Sequence, residues 1–561
     1  MIADDYDIVL IGSGFGAAVM AARLSEGLAD RGKAPRILVL EKGNDHTGRF
    51  DPESDGPDLN AQGNRFRHTL APEYLADVGQ VYTDATGAFR EGVSSMNVIT
   101  GTGMGGGSNA YLGVSLRTAT EVFDLQRDGR PLWPRGTSRQ ALNPYYAQAE
   151  TRLNVNRQAW TDATAPHHQL TAKRDLVFAD ACRTIGATAA PLKLANANDA
   201  NDGWWAQGQR HQGRQNLTEN YLADALAAGV EFRANNEVET VVPDGDRYVV
   251  RGLDRRGDDP EIFEFSATLV IVAAGTVASA GILLRSEDAF SGQRALDQGR
   301  EVRNVPVLGR NMSGNGDYGV TGIVGPDLER VIDGHKGKPM SSFCPSFWPS
   351  DQFILIPFYA APLYLSQGQP STLLRPFQPD AVGRGSTTTA VVDGRPERDW
   401  GLAYKQRLQQ FSSRMLTMGC LALDESEGEV LLGPGGASFE VRWQDTHPQT
   451  EARWSTAVDT MRRIYEALGG EMYLDSYRKD GTVSTAHPLG SVRMSDDPEY
   501  GIVDELGESW TNRNLFVVDG SIVPSALGVN PTLTIAAVAE RIADRLLRGS
   551  GTEALVDRLG L

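Results

Sequence analysis

Gly12-Ser13-Gly14-Phe15-Gly16-Ala17 is the feature that most restricts the fold of this chain, because of what stands on either side of it. Ahead of it runs the apolar stretch Tyr6–Ile11; behind it Ala17–Ala29 carries Ala and Leu at helical spacing, and Ile37–Leu40 is a second apolar run. The expectation is a βαβ unit with a glycine turn between strand and helix. Gly12 and Gly14 permit a tight turn and close backbone approach to a pyrophosphate on the helix N-terminus, and a small residue at Ala17 lets helix pack on strand. Glu41 ends the second strand, placed to accept hydrogen bonds from an adenosine ribose. It follows Gly12 by 29 residues, where about 20 is usual, and the insertion Leu28–Pro35 accounts for the delay. A glycine-rich turn alone could belong to any α/β protein. The full context favours a bound dinucleotide, without separating FAD from NAD.

Further along, Val238–Val242, Tyr248–Leu253 and Ile262–Phe265 are β-rich, with Pro243-Asp244-Gly245-Asp246 as a turn, so they read as an antiparallel meander. The meander feeds Leu269–Val272, a separate strand buried on both faces, which ends at Ala273-Ala274-Gly275. Leu515–Val518 repeats the buried-strand pattern, and Thr532–Leu547 is helical before Gly549. Ser455–Leu468 reads as a helix closed by Gly469-Gly470. Asp45–Gly63, Leu194–Gln215 and Gly383–Asp399 read as loops.

Composition narrows the partners. A net charge of −18 with no Lys/Arg cluster repels nucleic acid and anionic lipid. No apolar run is long enough to span a membrane. The opening Met1–Tyr6 is acidic and lacks the pattern of a secretory signal. Cys182, Cys344 and Cys420 are far apart and odd in number, and read as buried thiols of a reducing, cytoplasmic compartment. His167-His168 has no companion at metal-ligand spacing, so no metal is expected. Neither Ser13 nor Ser108 sits in a GxSxG elbow.

A second glycine run, Gly101-Thr102-Gly103-Met104-Gly105-Gly106-Gly107-Ser108-Asn109, has glycine at five of nine positions. That density suits neither helix nor strand. Either two chain segments cross tightly there, or the backbone forms a wall against a flat ring or phosphate. Toward the C-terminus, Ala486-His487-Pro488-Leu489-Gly490-Ser491 and Gly528-Val529-Asn530-Pro531-Thr532 flank the strand that runs into Asp519-Gly520.

With the two glycine runs, these segments resemble the glucose-methanol-choline (GMC) flavoprotein oxidoreductases, and most closely their cholesterol-oxidase-like branch. Gln215–Leu226, Leu269–Arg285 and Gly314–Gly316 are similar too. The resemblance implies an α/β (α+β) architecture: a Rossmann-like FAD-binding domain with an antiparallel meander, and a substrate domain on a six-stranded sheet. The implied division is discontinuous, with residues 1–45, 90–120, 215–316 and 475–561 binding FAD and residues 46–89, 121–214 and 317–474 binding substrate. By position, Gly12, Gly14 and Glu41 would hold the ADP half, and Phe15, Gly16 and Val238 would also bind the cofactor. Gly101, Gly105, Gly106, Gly107, Ser108 and Asn109 would pass close to the ribityl chain and flavin. Gly275, Asp519 and Gly520 would meet the ribityl and pyrophosphate, and Asn530, Pro531 and Thr532 would line the isoalloxazine.

The implied reaction takes a hydride from an alcohol carbon to flavin N5 while a base takes the hydroxyl proton. His487 is the base candidate, since an imidazole titrates near working pH, and Asn530 orients the substrate oxygen. Three departures from the family pattern carry consequences. Tyr111-Leu112 replaces an Asn-Gly pair, so the flavin edge is held differently. No histidine stands near Asn109, which points to noncovalent FAD. Phe353–Tyr364 has no acid, which argues against a sterol isomerisation step, while the apolar Ser342–Tyr364 suits either a pocket for a bulky alcohol or an ordinary buried strand. Oxygen, a quinone or a cytochrome could reoxidise the flavin. The competing readings are a non-redox flavoprotein of the same fold, such as a hydroxynitrile lyase, and a nicotinamide-dependent enzyme.

Overall fold

The structure, a computed structural model, describes residues 4–45, 47–53, 94–109, 111–157, 173–196, 215–256, 259–286, 307–328, 332, 340–358, 391–392, 395–396, 414–436, 439–443, 447–473 and 483–561. His167 and His168 lie outside these residues, as does most of the stretch expected as the loop Gly383–Asp399.

Asp4–Ile11 and Ile37–Leu40 are parallel neighbours, joined by the helix Phe15–Ala29. The sheet continues on one side to Glu231–Arg233 and on the other to Glu261–Val272, Arg247–Asp254 and Asn236–Asp244. Leu515–Val517 pairs in parallel with the end of Glu261–Val272. The apolar runs fill the sheet centre, with Ile8, Val9, Leu10, Leu38 and Val39 wholly buried. Each such side chain contributes about 1.5–3 kcal/mol on burial.

Glu261–Val272 is one strand of 12 residues where the sequence suggests two. Its first half pairs antiparallel with Arg247–Asp254, and its second half pairs in parallel with Leu515–Val517. Ser266 and Thr268 interrupt the apolar pattern between the halves but not the backbone. Arg247 donates to both hydroxyls, at 2.7 and 2.9 Å, so the polar pair is satisfied inside the strand.

Gly12 adopts φ +98°, and a Cβ there would run into the Ala273 carbonyl. Close packing of the first helix falls on Gly16 rather than the expected Ala17, because a Cβ on Gly16 would collide with the Val518 carbonyl oxygen. That contact lets the helix N-terminus sit directly on the segment leading to Asp519. Thr532–Arg548 packs along the same helix.

A separate set of four strands forms an antiparallel sheet in the order Phe353–Phe358, Met415–Ala422, Tyr318–Ile323, Glu471–Tyr473. Six were expected, and four lie among the described residues. Pro448–Ala467 and Lys173–Thr184 cover one face of this sheet, closing a core with Phe178, Phe353, Leu355, Met461 and Tyr465. Ile354 and Ile356 turn to the opposite face and join the main core. The described part of the apolar stretch Ser342–Tyr364 is therefore mainly a buried core strand. Pro448–Ala467 starts seven residues before the expected Ser455, with Pro448 in its first turn and Thr450 and Trp454 extending the buried stripe.

A further sheet, ordered Arg310–Met312, Gly428–Leu432, Phe439–Trp443, Ser94–Val98, Val483–Thr485, joins the two parts. Two turns leave it for the site: Ser313–Asp317 after Arg310–Met312, and Ala486–Ser491 after Val483–Thr485. Among the described residues no helix is long and apolar enough to cross a membrane.

Candidate active site

The turn at Ser313–Asp317 places Asn315 and Gly316 in the left-handed region, at φ +58° and +60°. Asn and Gly tolerate that conformation best. It turns two side chains inward. Asn315 Oδ1 accepts from Leu527 N and Gly528 N at 2.7 and 3.1 Å, and its Nδ2 donates to Val529 O at 2.9 Å. The segment carrying Asn530 is thereby fastened to the turn. Asp317 meets His487: Nδ1 lies 2.8 and 2.9 Å from the two carboxylate oxygens.

The same carboxylate accepts from Ala486 N at 3.0 Å and lies 2.9 Å from the Thr485 hydroxyl, which itself accepts from His487 N at 2.9 Å. Beneath the turn, Asp424 accepts from Gly316 N at 3.0 Å. Burial pushes the Asp424 carboxyl up, while donors from Gly316, Ser313 and Ser426 pull it back. His487 is thus held by its backbone and by its ring.

Asp317 also selects a tautomer. A carboxylate accepts the Nδ1 proton, which leaves the lone pair of a neutral ring on Nε2. Nε2 faces Asn530 Nδ2 at 2.9 Å. Asn530 Oδ1 is buried and has no partner, and a buried orphan acceptor invites a ligand donor. The imidazole remains about one-fifth exposed, so it is reachable. The fold brings His487 and Asn530, 43 residues apart in sequence, into contact. The sequence assigns no role to Asp317 or Asn315, although Gly314–Gly316 belongs to the stretches that resemble the family, because what each side chain meets is set by segments distant in the chain.

The glycine runs meet as well. A Cβ on Gly106 would stand 2.9 Å from Gly14 Cα, and one on Gly101 would press on Gly107. These two glycines serve a tight crossing of chain segments. Gly14, Gly107 and Gly275 differ: a Cβ at any of them would meet nothing within 4 Å. Gly14 caps the helix Phe15–Ala29 with no side-chain hydrogen bond, so the first-turn amides keep their capacity for an anion.

Glu41, expected beside a ribose, is engaged by four donors of the protein itself. Oε2 accepts from Ser13 N and Oγ at 3.1 and 2.5 Å, and Oε1 accepts from Gly43 N and Gly103 N at 2.9 and 3.0 Å. Four donors fill the carboxylate's lone-pair sites. Glu41 clamps the first glycine loop to the second. Burial pushes its carboxyl up, and these donors offset part of the rise.

Asp519 behaves alike, accepting from Gly275 N at 2.8 Å, Ser279 Oγ at 2.6 Å, Ser521 N at 2.8 Å and the Ser521 hydroxyl. Burial raises its carboxyl too. It ties the Gly275 and Ser521 backbones together. Ser108 is fully buried, donating to Gly105 O at 2.7 Å and accepting from Leu217 N at 3.2 Å. Asn109 Nδ2 donates to Met104 O at 3.1 Å. Phe15 packs edge-on against Tyr111, whose hydroxyl donates to Gln215 O. Val238 lies at a register shift opposite Gly252. Pro531 caps Thr532–Arg548 without a side-chain bond.

Comparison with known proteins identifies the family. A cholesterol oxidase of Mycobacterium tuberculosis is 27% identical, covering 96% of this chain and 90% of its own length. A long-chain-alcohol oxidase of Arabidopsis thaliana is 24% identical over 96% of this chain and 67% of its own. The crystal structure of pyridoxine 4-oxidase from Mesorbium loti shares the fold, with a TM-score of 0.61 at 18% identity over 97% of this chain and 99% of that one. Residues 10–313 match the N-terminal GMC oxidoreductase family model and residues 424–539 the C-terminal one. The chain belongs to the GMC oxidoreductases, a family of FAD-binding flavoproteins, and is an FAD-dependent oxidoreductase acting on alcohols.

Proposed function

We propose that this enzyme oxidises a bulky, apolar alcohol to its carbonyl, with His487 as the proton acceptor, Asn530 as the orienting group and FAD held without a covalent bond. The observation that carries the reading is the chain of contacts Asp317, His487, Asn530, which ends on the unpartnered Asn530 Oδ1.

The residues fit a flavin dinucleotide. Gly14, Gly107 and Gly275 offer backbone with open space beside it, and the first helix keeps its N-terminal amides without a side-chain cap. Between Val98 and Gln126 the sequence has neither histidine nor cysteine, so the second glycine run supplies no side chain for the usual covalent link. Bound there, FAD would supply the hydride acceptor.

The protein's own part is proton transfer and orientation. Asp317 keeps the proton on Nδ1, so the Nε2 lone pair, engaged by Asn530 Nδ2 before substrate binds, can accept a proton from a substrate hydroxyl that takes the amide's place. Asn530 supports both charge states of the ring: its amide nitrogen donates to neutral Nε2, and its oxygen, after a half-turn of the amide, accepts from the protonated ring. The start of Thr532–Arg548, without a side-chain cap, adds positive potential beside Asn530. A positioned base of this kind is worth about 10²–10⁴ in rate.

The sterol and long-chain alcohols in the names of the relatives agree with an apolar substrate. Phe353–Phe358 carries no acid, which supports oxidation without a following isomerisation. Anaerobic addition of sterols, terpenoid, aryl and long-chain alcohols tests the proposal. A good substrate bleaches the flavin band, and a lyase of this fold leaves it unchanged. His487→Ala should keep the flavin spectrum and lose most of the reduction rate; full activity in that variant removes His487 from the scheme.

A further inference from the structure

Two of the three cysteines meet. Cys182 lies in the last turn of Lys173–Thr184, and Cys344 directly follows the short strand Ser342–Phe343. The chain between them is laced across this point. Ala190–Pro191 pairs antiparallel with Ser342–Phe343, and Thr188 N donates to Ser346 Oγ at 2.8 Å. Cys182 and Cys344 thereby share one buried core and interact with each other. Both are free and buried, while Thr188 and Ser346 beside them are exposed, so the pair lies one layer below solvent. Cys420, in Met415–Ala422, is buried apart from them.

The two thiols are unequal. The Cys182 hydrogen bond pulls the Cys344 thiol down to about 7 against the effect of burial, helped by Ser346 and the Thr188 backbone. Its contact with Cys344, together with burial, pushes the Cys182 thiol up. A low-pKa thiol beside a resolving thiol is the arrangement of a reversible redox pair.

We propose that Cys182 and Cys344 form a dithiol that hydrogen peroxide closes to a disulfide. The Cys344 thiolate attacks one peroxide oxygen; an S–O bond forms, the O–O bond breaks, and hydroxide leaves to be protonated to water. The Cys182 sulfur then attacks the Cys344 sulfenic acid; the S–S bond forms, the S–O bond breaks, and the second water leaves with the Cys182 proton. Two thiols lose two electrons and one peroxide gains them. The bond ties a helix of the substrate side to the segment carrying Trp348, whose ring lies against Gly528, two residues before Asn530.

The test is peptide mapping of the full chain as purified, reduced, treated with hydrogen peroxide, denatured and alkylated with N-ethylmaleimide. A single Cys182–Cys344 cross-linked peptide is expected, lighter by two hydrogen atoms and cleaved by dithiothreitol, with Cys420 alkylated. The oxidised protein should melt several degrees above the reduced one, since a disulfide closing a long loop restricts the unfolded chain. In Cys182→Ser, the sulfenic acid should persist at Cys344 and be trapped by dimedone. Full alkylation of both cysteines after peroxide, or overoxidation of Cys344 without a cross-link in the wild type, overturns the proposal. An unreactive Cys344 in Cys182→Ser overturns the order of attack.

Discussion

Replacing Asp317 by Asn changes one oxygen to an amine and should remove most of the base function of His487. The carboxylate receives the His487 ring on both oxygens and, on Oδ2 alone, also Ala486 N and the Thr485 hydroxyl. An asparagine has one acceptor for these groups. If its oxygen takes the Oδ1 place, the amide nitrogen faces the Ala486 N–H, and this part-buried donor loses its acceptor at the low end of the roughly 1–3 kcal/mol that a buried one would cost. If its oxygen takes the Oδ2 place, the amide nitrogen stands 2.8 Å from Nδ1 as a competing donor while the oxygen, at 2.9 Å, also serves Ala486 N and the Thr485 hydroxyl, so the balance shifts toward the tautomer with its proton on Nε2.

The second arrangement is the cheaper one, because Asn530 can rotate to accept from Nε2–H. It leaves no lone pair toward the substrate, so the flavin-reduction rate under anaerobic stopped flow should fall by about 10²–10⁴, the worth of a positioned base. The flavin spectrum should be retained. Nitrogen NMR of the labelled ring provides a readout independent of turnover, expected to move from the Nδ1–H to the Nε2–H pattern. A variant that reduces its flavin within about threefold of wild type, against the range expected for general-base loss, refutes the tautomer argument.

Three other substitutions probe the frame around the site. Gly16→Ala puts a methyl against the Val518 carbonyl, which is backbone on both sides, so it should destabilise by about 3 kcal/mol or more; an unchanged denaturation midpoint would contradict that packing. Asn315→Ala removes the partners of Leu527 N, Gly528 N and Val529 O. It should cost about 3 kcal/mol and slow flavin reduction through a displaced Asn530, measured by chemical denaturation and stopped flow. Glu41→Gln sets an amide donor against backbone donors of Ser13, Gly43 or Gly103. It should lower the melting temperature and weaken FAD retention on dialysis together; loss of FAD with no change in apoprotein stability would instead indicate direct contact with the ribose.

Much of the fold was legible along the chain because its signals are local. A glycine turn between an apolar strand and an Ala-rich helix is set by steric freedom and by 2- and 3.6-residue periods, which act over a dozen residues. The meander, the buried strand Leu515–Val517 and the helix Thr532–Arg548 follow from the same short-range patterns. Joining Ile262–Phe265 to Leu269–Val272 in one strand did not, because it depends on Arg247 reaching Ser266 and Thr268 from the neighbouring strand.

The site divides the same way. His487, Asn530 and the glycine runs announce themselves by residue type and context in the sequence. Tertiary structure alone decided that Glu41 and Asp519 serve the protein's own amides, that Gly106 stands on Gly14, and that Asp317, 170 residues from His487, orients its ring. A carboxylate's role depends on which donors surround it in space, and donors brought from three segments leave no periodic trace in any one of them.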